Sequence, residues 1–304
     1  MKQSPGLLPA KAAAGDGSAG SRAPYALVSP SFRTDFDCCA MLVESVERWV
    51  SPGLRHYLIV DHRDVPLFRP LESRRTEVLV VEDIVPWWIR RVPGVRRLWF
   101  SFRSLPIRNW ILQQIVKLSV ANVVPAEVLF FVDSDVFFCA PFDPQSCTRD
   151  GRPPLFVQTG QRGLIPDNDK WHSVAARLLG LQPESSYDTN FIGNVICWRR
   201  DNVLKLHDRL EQVAGTSWQL AVASHLAFSE YILYGMFVTR GLGDSGQWHD
   251  EVERTLCYWE RKPLDEAGLI ALKEKRRDHH HAVMISAKSR TPVPLIRRVF
   301  HPTA

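Results

Sequence analysis

The sequence predicts an α/β fold: a mostly parallel central sheet flanked by helices. Three observations predict it. Short apolar runs of strand character alternate with segments of helical periodicity through residues 25–135. Several of these runs end in acids, with Asp61 after "HYLIV", Glu82 and Asp83 after "TEVLVV", and Asp133 after "EVLFFV". The run Leu129–Val132 is unbroken apolar, as a strand covered on both faces of a parallel sheet must be.

The elements follow in order. "YALVSPSF" (25–32) reads as the first strand. "DCCAMLVESVERWV" (37–50) has helical spacing, with Met41, Val43, Val46 and Val50 among its apolar positions. Strands are expected at 56–61 and 76–83, a helix at 107–124 and a fourth strand at 127–135. In the second half, 154–159 and 194–200 read as strands, 201–213 as a helix with Asp201 as N-cap, 229–238 as helix and 281–288 as strand. "PWWIRRVPGVRRLWFSFRSLPIR" (86–108) breaks the pattern and is expected to be a long loop with short helical pieces. It carries six arginines, three tryptophans and two phenylalanines, and reads as a lid over a ligand or as a patch touching acidic lipid.

The 304 residues suffice for a sizeable core. A Gly-, Ala-, Ser- and Pro-rich leader (1–23) is expected to be disordered and lacks the apolar core of a secretion signal. One domain of two lobes follows, 24–143 and 144–300. The net charge of +5 suits an anionic ligand and falls short of a nucleic-acid footprint. No apolar stretch approaches the roughly 20 residues of a membrane span. The six cysteines include no C-x-x-C pair, which argues against a zinc site. Most lie in apolar segments, where a reduced thiol packs as a small hydrophobe. The expectation is a reducing, cytoplasmic location, with peripheral contact to the inner face of a membrane through 86–108.

In open α/β sheets ligands bind beyond the carboxyl ends of the strands. Asp133 and Asp135 stand at such an end, flanked by "LFFV" and "VFF". Like charges so close are costly in apolar surroundings unless compensated. A hard divalent cation, Mn²⁺ or Mg²⁺, compensates them with oxygen ligands and keeps room for substrate phosphates.

"VLFFVDSDVFF" resembles the DXD motif of GT-A glycosyltransferases. Together with "NWILQQIVKLSVANVV", "FSEYILYGMFV" and "HAVMISAKSRTP", the pattern over residues 24–300 is similar to a group of bacterial GT-A-like proteins known only as a domain of unknown function. The resemblance implies a GT-A-like, Rossmann-like domain that moves a sugar from a nucleotide-diphosphate sugar to a glycan or glycolipid acceptor. It implies that Asp135 binds the metal directly, and that Asp133 holds the metal or the donor ribose, with Ser134 between them. Ser29, Ser31 and Arg33 would lie near the nucleotide. It places "FSEYILYG" at the acceptor side, making Glu230 the first candidate for general base and Asp188 the second, with Asn190 and Asn194 as sugar-hydroxyl partners. It also suggests a further metal ligand from His279–His281, with His281 favoured because it leads into the last strand.

The helix at 107–124 adds candidates of its own. At about 100° per residue, Trp110, Gln113 and Lys117 share one face and Ile111, Ile115 and Leu118 the opposite one. Lys117 would meet a phosphate and Gln113 or Gln114 a base or sugar hydroxyl; Lys288 or Arg290 would reach the diphosphate. The rival readings are a phosphotransferase with an Asp-x-Asp nucleophile, a nucleotidylyltransferase and a non-catalytic carbohydrate- or nucleotide-binding protein. Against the first, the motif is mid-chain and followed by Phe137. Against the second, "SPSFRTDFD" has no glycine.

Overall fold

A computed structural model describes residues 23–92 and 98–301. The expected leader lies outside the described residues, save for its last residue, Ala23, where the first strand begins. The central sheet contains β1 (Ala23–Pro30), β2 (Arg55–Val60) and β3 (Thr76–Val80). The hairpin strands β4 (Ile89–Arg91), β5 (Leu98–Ser101) and β6 (Ile107–Arg108) come next in the chain. They are followed by β7 (Ala126–Val132), β8 (Val136–Phe138), β9 (Pro154–Phe156), β10 (Val195–Arg199), β11 (Trp248–Asp250), β12 (Thr255–Tyr258) and β13 (Ala282–Ile285). The five-stranded central sheet has the order β10-β7-β1-β2-β3, parallel throughout except for β10, which runs antiparallel to β7. The fold is therefore α/β with a mixed, mostly parallel sheet.

β7 shows why the sheet is a middle layer. Its side chains alternate, and both sets are buried. Leu129 and Phe131 join one apolar cluster, and Val128, Phe130 and Val132 join another. The second cluster takes Leu42, Val46 and Val50 from helix α1 (Phe36–Trp49) and its C-cap. Full burial of each such Leu, Val or Phe contributes about 1.5–3 kcal/mol. On the other face lie α4 (Asn109–Ser119), α5 (Asn168–Leu178), α6 (Arg200–Ala214), α7 (Trp218–Ala223) and α8 (Glu230–Met236). Two single turns, α2 (Val65–Phe68) and α3 (Val81–Ile84), follow β2 and β3. The acids Glu82 and Asp83 sit in α3, beyond the observed end of β3. The expected N-cap Asp201 lies inside the first turn of α6, because Arg199 holds the extended N-cap conformation.

A second sheet, in the order β12-β13-β8, is covered by α9 (Glu266–Glu274) and α10 (Val293–Phe300). Residues 133–135 turn the chain from β7 into β8, so the acidic pair stands where the two sheets meet. The arginine-rich segment differs from expectation. Its described part is a three-stranded antiparallel sheet, β4-β5-β6, because Ile89, Trp99 and Ile107 point inward in alternation with Arg90, Phe100 and Arg108 pointing outward. All six cysteines are free thiols. Among the described residues no helix is long and apolar enough to cross a membrane.

Candidate functional site

The carboxyl ends of β1 and β2 open into a cleft of about 640 Å³. Pro30, Ser31 and Arg33 form one wall, Asp61 and Asp64 another, and Trp110, Gln113 and Val116 of α4 a third. The inner face of the β4–β5 hairpin covers it through Arg91 and Trp99, with the Arg91 guanidinium 5.1 Å from the Trp99 ring. Asp61 accepts a hydrogen bond from the Arg63 N–H at 3.1 Å and pairs with Arg91 at 3.1 Å. Asp64 accepts from the backbone N–H and Nε of Arg33, both at 3.0 Å. The carboxylates are thus held from below by backbone groups, while the guanidinium of Arg33 faces outward. Lys288 lines the same cleft from the loop after β13.

Beside the cleft lies the acidic turn. Asp135 accepts a hydrogen bond from the Ala287 N–H at 3.0 Å. Burial pushes its carboxyl up to about 6, and the neighbouring charges of Asp133 and Asp35 add to the shift. Asp35 is the N-cap residue of α1, yet its side chain makes no cap bond. Instead it lies by Thr34 and Ser134; burial raises its carboxyl and Asp133 raises it further. Three carboxylates from two loops, Asp35, Asp133 and Asp135, therefore share one electrostatic neighbourhood. Among the described residues no three His, Cys, Asp or Glu side chains are arranged as a closed metal cage.

Lys117 stands under this turn rather than over a phosphate position. It is one helical turn beyond Gln113, and its buried ammonium pairs with Asp133 at 2.9 Å and Glu230 at 3.2 Å, and donates to the Tyr231 hydroxyl at 2.8 Å. Burial opposes the charge on Lys117, but Asp133, Tyr231 and Glu230 more than offset it and hold its pKa well above the usual lysine value. Glu230 is buried as well. Burial raises its carboxyl despite Lys117, and its backbone N–H donates to Gln114 Oε1 at 3.0 Å. The expectation of Glu230 as a base facing an acceptor is corrected: its carboxylate is inside, holding the cation that holds Asp133. Gln114 is likewise committed to α8, leaving Gln113 as the glutamine that lines the cleft.

Other expected site residues lie elsewhere. Ser29 is fully buried, with its hydroxyl 2.9 Å from His56 Nε2, and does not border the cleft; Ser31, two residues on, does. His281 is excluded from the acidic turn by register. β13 pairs antiparallel with β8, Met284 lies opposite Val136, and Asp135 meets Ile285. His281 is four residues further along, roughly 13 Å at about 3.4 Å per residue. Its Nδ1 is 2.6 Å from the Pro141 carbonyl oxygen and its ring packs on Phe142. Asp188 accepts from the N–H groups of Gly160 and Arg162 and so braces a loop. Asn190 closes its own turn through Ile192 and Gln158, and Asn194 donates to Cys257 Sγ at 3.1 Å. Arg290 has a left-handed backbone and sits on an exposed loop.

Sequence reading missed Asp35, whose signal was its place after the first strand in "SPSFRTDFD", and Glu253, which has none. Glu253 Oε1 accepts from the Thr255 N–H at 3.2 Å. Its other oxygen lies where a Cβ on Gly193 would be 3.2 Å away, a close approach that suits glycine there. No ion pair engages it among the described residues, and burial pushes its carboxyl up to about 7. Cys257, Met284 and Val136 lie in register across β12, β13 and β8, two strand spacings or roughly 10 Å from end to end. Burial raises the Cys257 thiol most, and the charges of Glu253 and then Asp135 raise it further.

Residues 24–267 match a family of unknown function, DUF6492. The chain belongs to that family. No curated protein matches it. The stretch matched to DUF6492 contains Asp35, the acidic turn, Lys117, Glu230, Glu253 and the cleft apart from Lys288; His281 lies beyond it.

Proposed function

We propose that this DUF6492 member is a metal-dependent, GT-A-like glycosyltransferase using a nucleotide-diphosphate sugar. The observation that carries the reading is the pairing of the Asp133-Ser134-Asp135 turn with a cleft at the carboxyl ends of a mostly parallel sheet. The donor set fits a hard cation. It is all oxygen, two of its carboxyls (Asp35 and Asp135) are raised by burial and by the charge of Asp133, and of the three carboxylates Lys117 pairs with Asp133 alone among the described residues. Asp133 and Asp135, with Asp35 beside them, would hold Mn²⁺ or Mg²⁺, which when bound neutralises charge on a diphosphate leaving group.

The protein's own groups divide the remaining work. The cleft takes the nucleoside, with Gln113 and Asp61 offering polar edges and Trp99 and Trp110 apolar faces. Arg33, Arg63 and Lys288 are exposed cations at its margin, with Arg63 also paired to Asp61. Lys117 and Glu230 are positioning residues: through a desolvated ion pair they hold Asp133 in one orientation. Glu253 is the carboxylate suited to accept a proton from an acceptor hydroxyl. It carries no ion pair among the described residues, and its raised pKa matches a base working near neutral pH. The acceptor is a glycan or glycolipid.

Thermal stability of the full chain against a panel of nucleoside diphosphates, with and without Mn²⁺, tests this. One nucleotide should stabilise the wild type by about 2.7 kcal/mol at a hundredfold excess over its Kd. The shift should require both Mn²⁺ and Asp135, vanishing in Asp135→Ala. A folded protein that no nucleotide stabilises would overturn the donor reading and favour a binding protein without transfer activity.

A further inference from the structure

The hairpin that covers the cleft has an outer face of different chemistry. β4 and β5 pair Arg90 with Phe100, and the pleat turns both outward while Ile89 and Trp99 turn inward. Trp87, Phe102 and Leu105 project beside them at 63%, 62% and 63% exposure. They form one patch: Phe100 meets Phe102 edge-on at 4.8 Å, Trp87 is 6.3 Å from Phe102, and the Arg103 guanidinium lies 5.6 Å from the Trp87 ring. Arg90, Arg103 and Arg108 are exposed around it, and residues 86–108 contain no Asp or Glu.

Scattered exposed apolar side chains are ordinary, but a contiguous aromatic and aliphatic patch ringed by one sign of charge marks a contact surface. We propose that this face docks on an anionic lipid surface. Exposed Trp, Phe and Leu side chains suit the boundary between headgroups and acyl chains, and guanidinium groups suit the phosphates above it. A nucleic acid would engage the arginines and stack on the rings, yet would leave Leu105 and Pro106 against a polar backbone, and the mild net charge of +5 is no nucleic-acid footprint. Docking of this face would set the mouth of the cleft beside the lipid surface, because Arg91 and Trp99 on the inner face of the same strands line the cleft. Lipid docking would hold whether or not the cleft takes a nucleotide.

Co-sedimentation of the full chain with vesicles of phosphatidylcholine alone, or of roughly three parts phosphatidylcholine to one part phosphatidylglycerol, tests this. The wild type should sediment with the anionic vesicles, stay in solution with the neutral ones, and be released by added salt. Trp87→Ser with Phe102→Ser should abolish sedimentation. Arg90→Glu with Arg103→Glu should weaken it by at least about fivefold per guanidinium removed. All four side chains are exposed, so unchanged thermal melts would show that the variants stay folded. Failure of the wild type to sediment with anionic vesicles, sedimentation of both variants like wild type, or retention on single-stranded RNA in place of vesicles would overturn the proposal.

Discussion

Beneath the acidic turn the Lys117 side chain is 4% exposed and touches Asp133, Glu230 and Tyr231; at the ends of β1 and β2, Arg33 is 63% exposed while its partner Asp64 is 5% exposed. Both regions are built from lysine or arginine and acids, and they are wired in opposite senses. In the first the cation is inside and carboxylates surround it. In the second the carboxylates are inside, tied to backbone N–H groups, and the guanidinium of Arg33 is outside. A fully desolvated cation cannot leave its partners without leaving them uncompensated, so it fixes geometry. A solvent-facing cation loses little by turning to another anion, so it is available to a ligand.

The largest effect is expected for Lys117→Met, which leaves Glu230 buried without a counter-charge and should cost about 3–5 kcal/mol in urea denaturation. Removing both charges, Lys117→Met with Glu230→Leu, should recover part of that loss. A single variant costing under about 1 kcal/mol would mean that the pair is not desolvated in solution.

Glu253 sharpens the contrast, since it is a half-buried carboxylate with no ion pair among the described residues. Its folded pKa of about 7 lies above the ordinary 4.5. The native state therefore holds this proton more tightly than the unfolded chain does. Stability from this group is fully present below pH 4.5 and is lost as pH rises through about 7. Glu253→Gln should thus be more stable than wild type at pH 8, by on the order of 2–3 kcal/mol, and the two should converge below pH 4.5. Equal stability at pH 8 would show that Glu253 is solvated.

Smaller effects are expected around the cleft. Arg91→Ala removes a partly buried partner of Asp61 and the contact over Trp99, and should lower stability by about 1–2 kcal/mol. Arg33→Ala should change it by less than about 1 kcal/mol in the same denaturation series, because the pair is screened by solvent. The same variant should weaken binding of whichever nucleotide stabilises the wild type, measured by calorimetry. A loss of stability larger at Arg33 than at Lys117 would reverse the assignment of the two regions.

The order of strands and the place of the acidic turn were legible in the sequence because apolar runs of strand length and their terminal acids are local patterns. The helix at 109–119 was legible as amphipathic, and Trp110 and Gln113 do line the cleft. The same periodicity says nothing of depth. Lys117 lies on that face but one turn further in, where α8 closes over it, and only the packing of α8 turns a surface lysine into a buried one. Glu230 was readable as an early helical acid and not as an interior one for the same reason. The triplet His279–His281 suggested a ligand by composition, whereas the antiparallel register of β13 on β8 carries His281 away from Asp135. The hairpin at 89–108 alternates in a strand pattern that its arginines and prolines obscure.

By itself, then, the sequence determined the α/β class, the order of its early strands and the acidic pair at the end of β7. These follow from short-range hydrophobic periodicity and from the fact that a run of buried residues must end before charges begin. Tertiary structure alone decided which charges are solvated, that Asp35 joins the acidic turn from a distant segment, that Glu253 is half-buried without an ion pair among the described residues, and that the arginine-rich hairpin has a cleft-facing side and an outward side. Those outcomes depend on long-range contacts, in which desolvation and register, rather than residue type, set what each side chain can do.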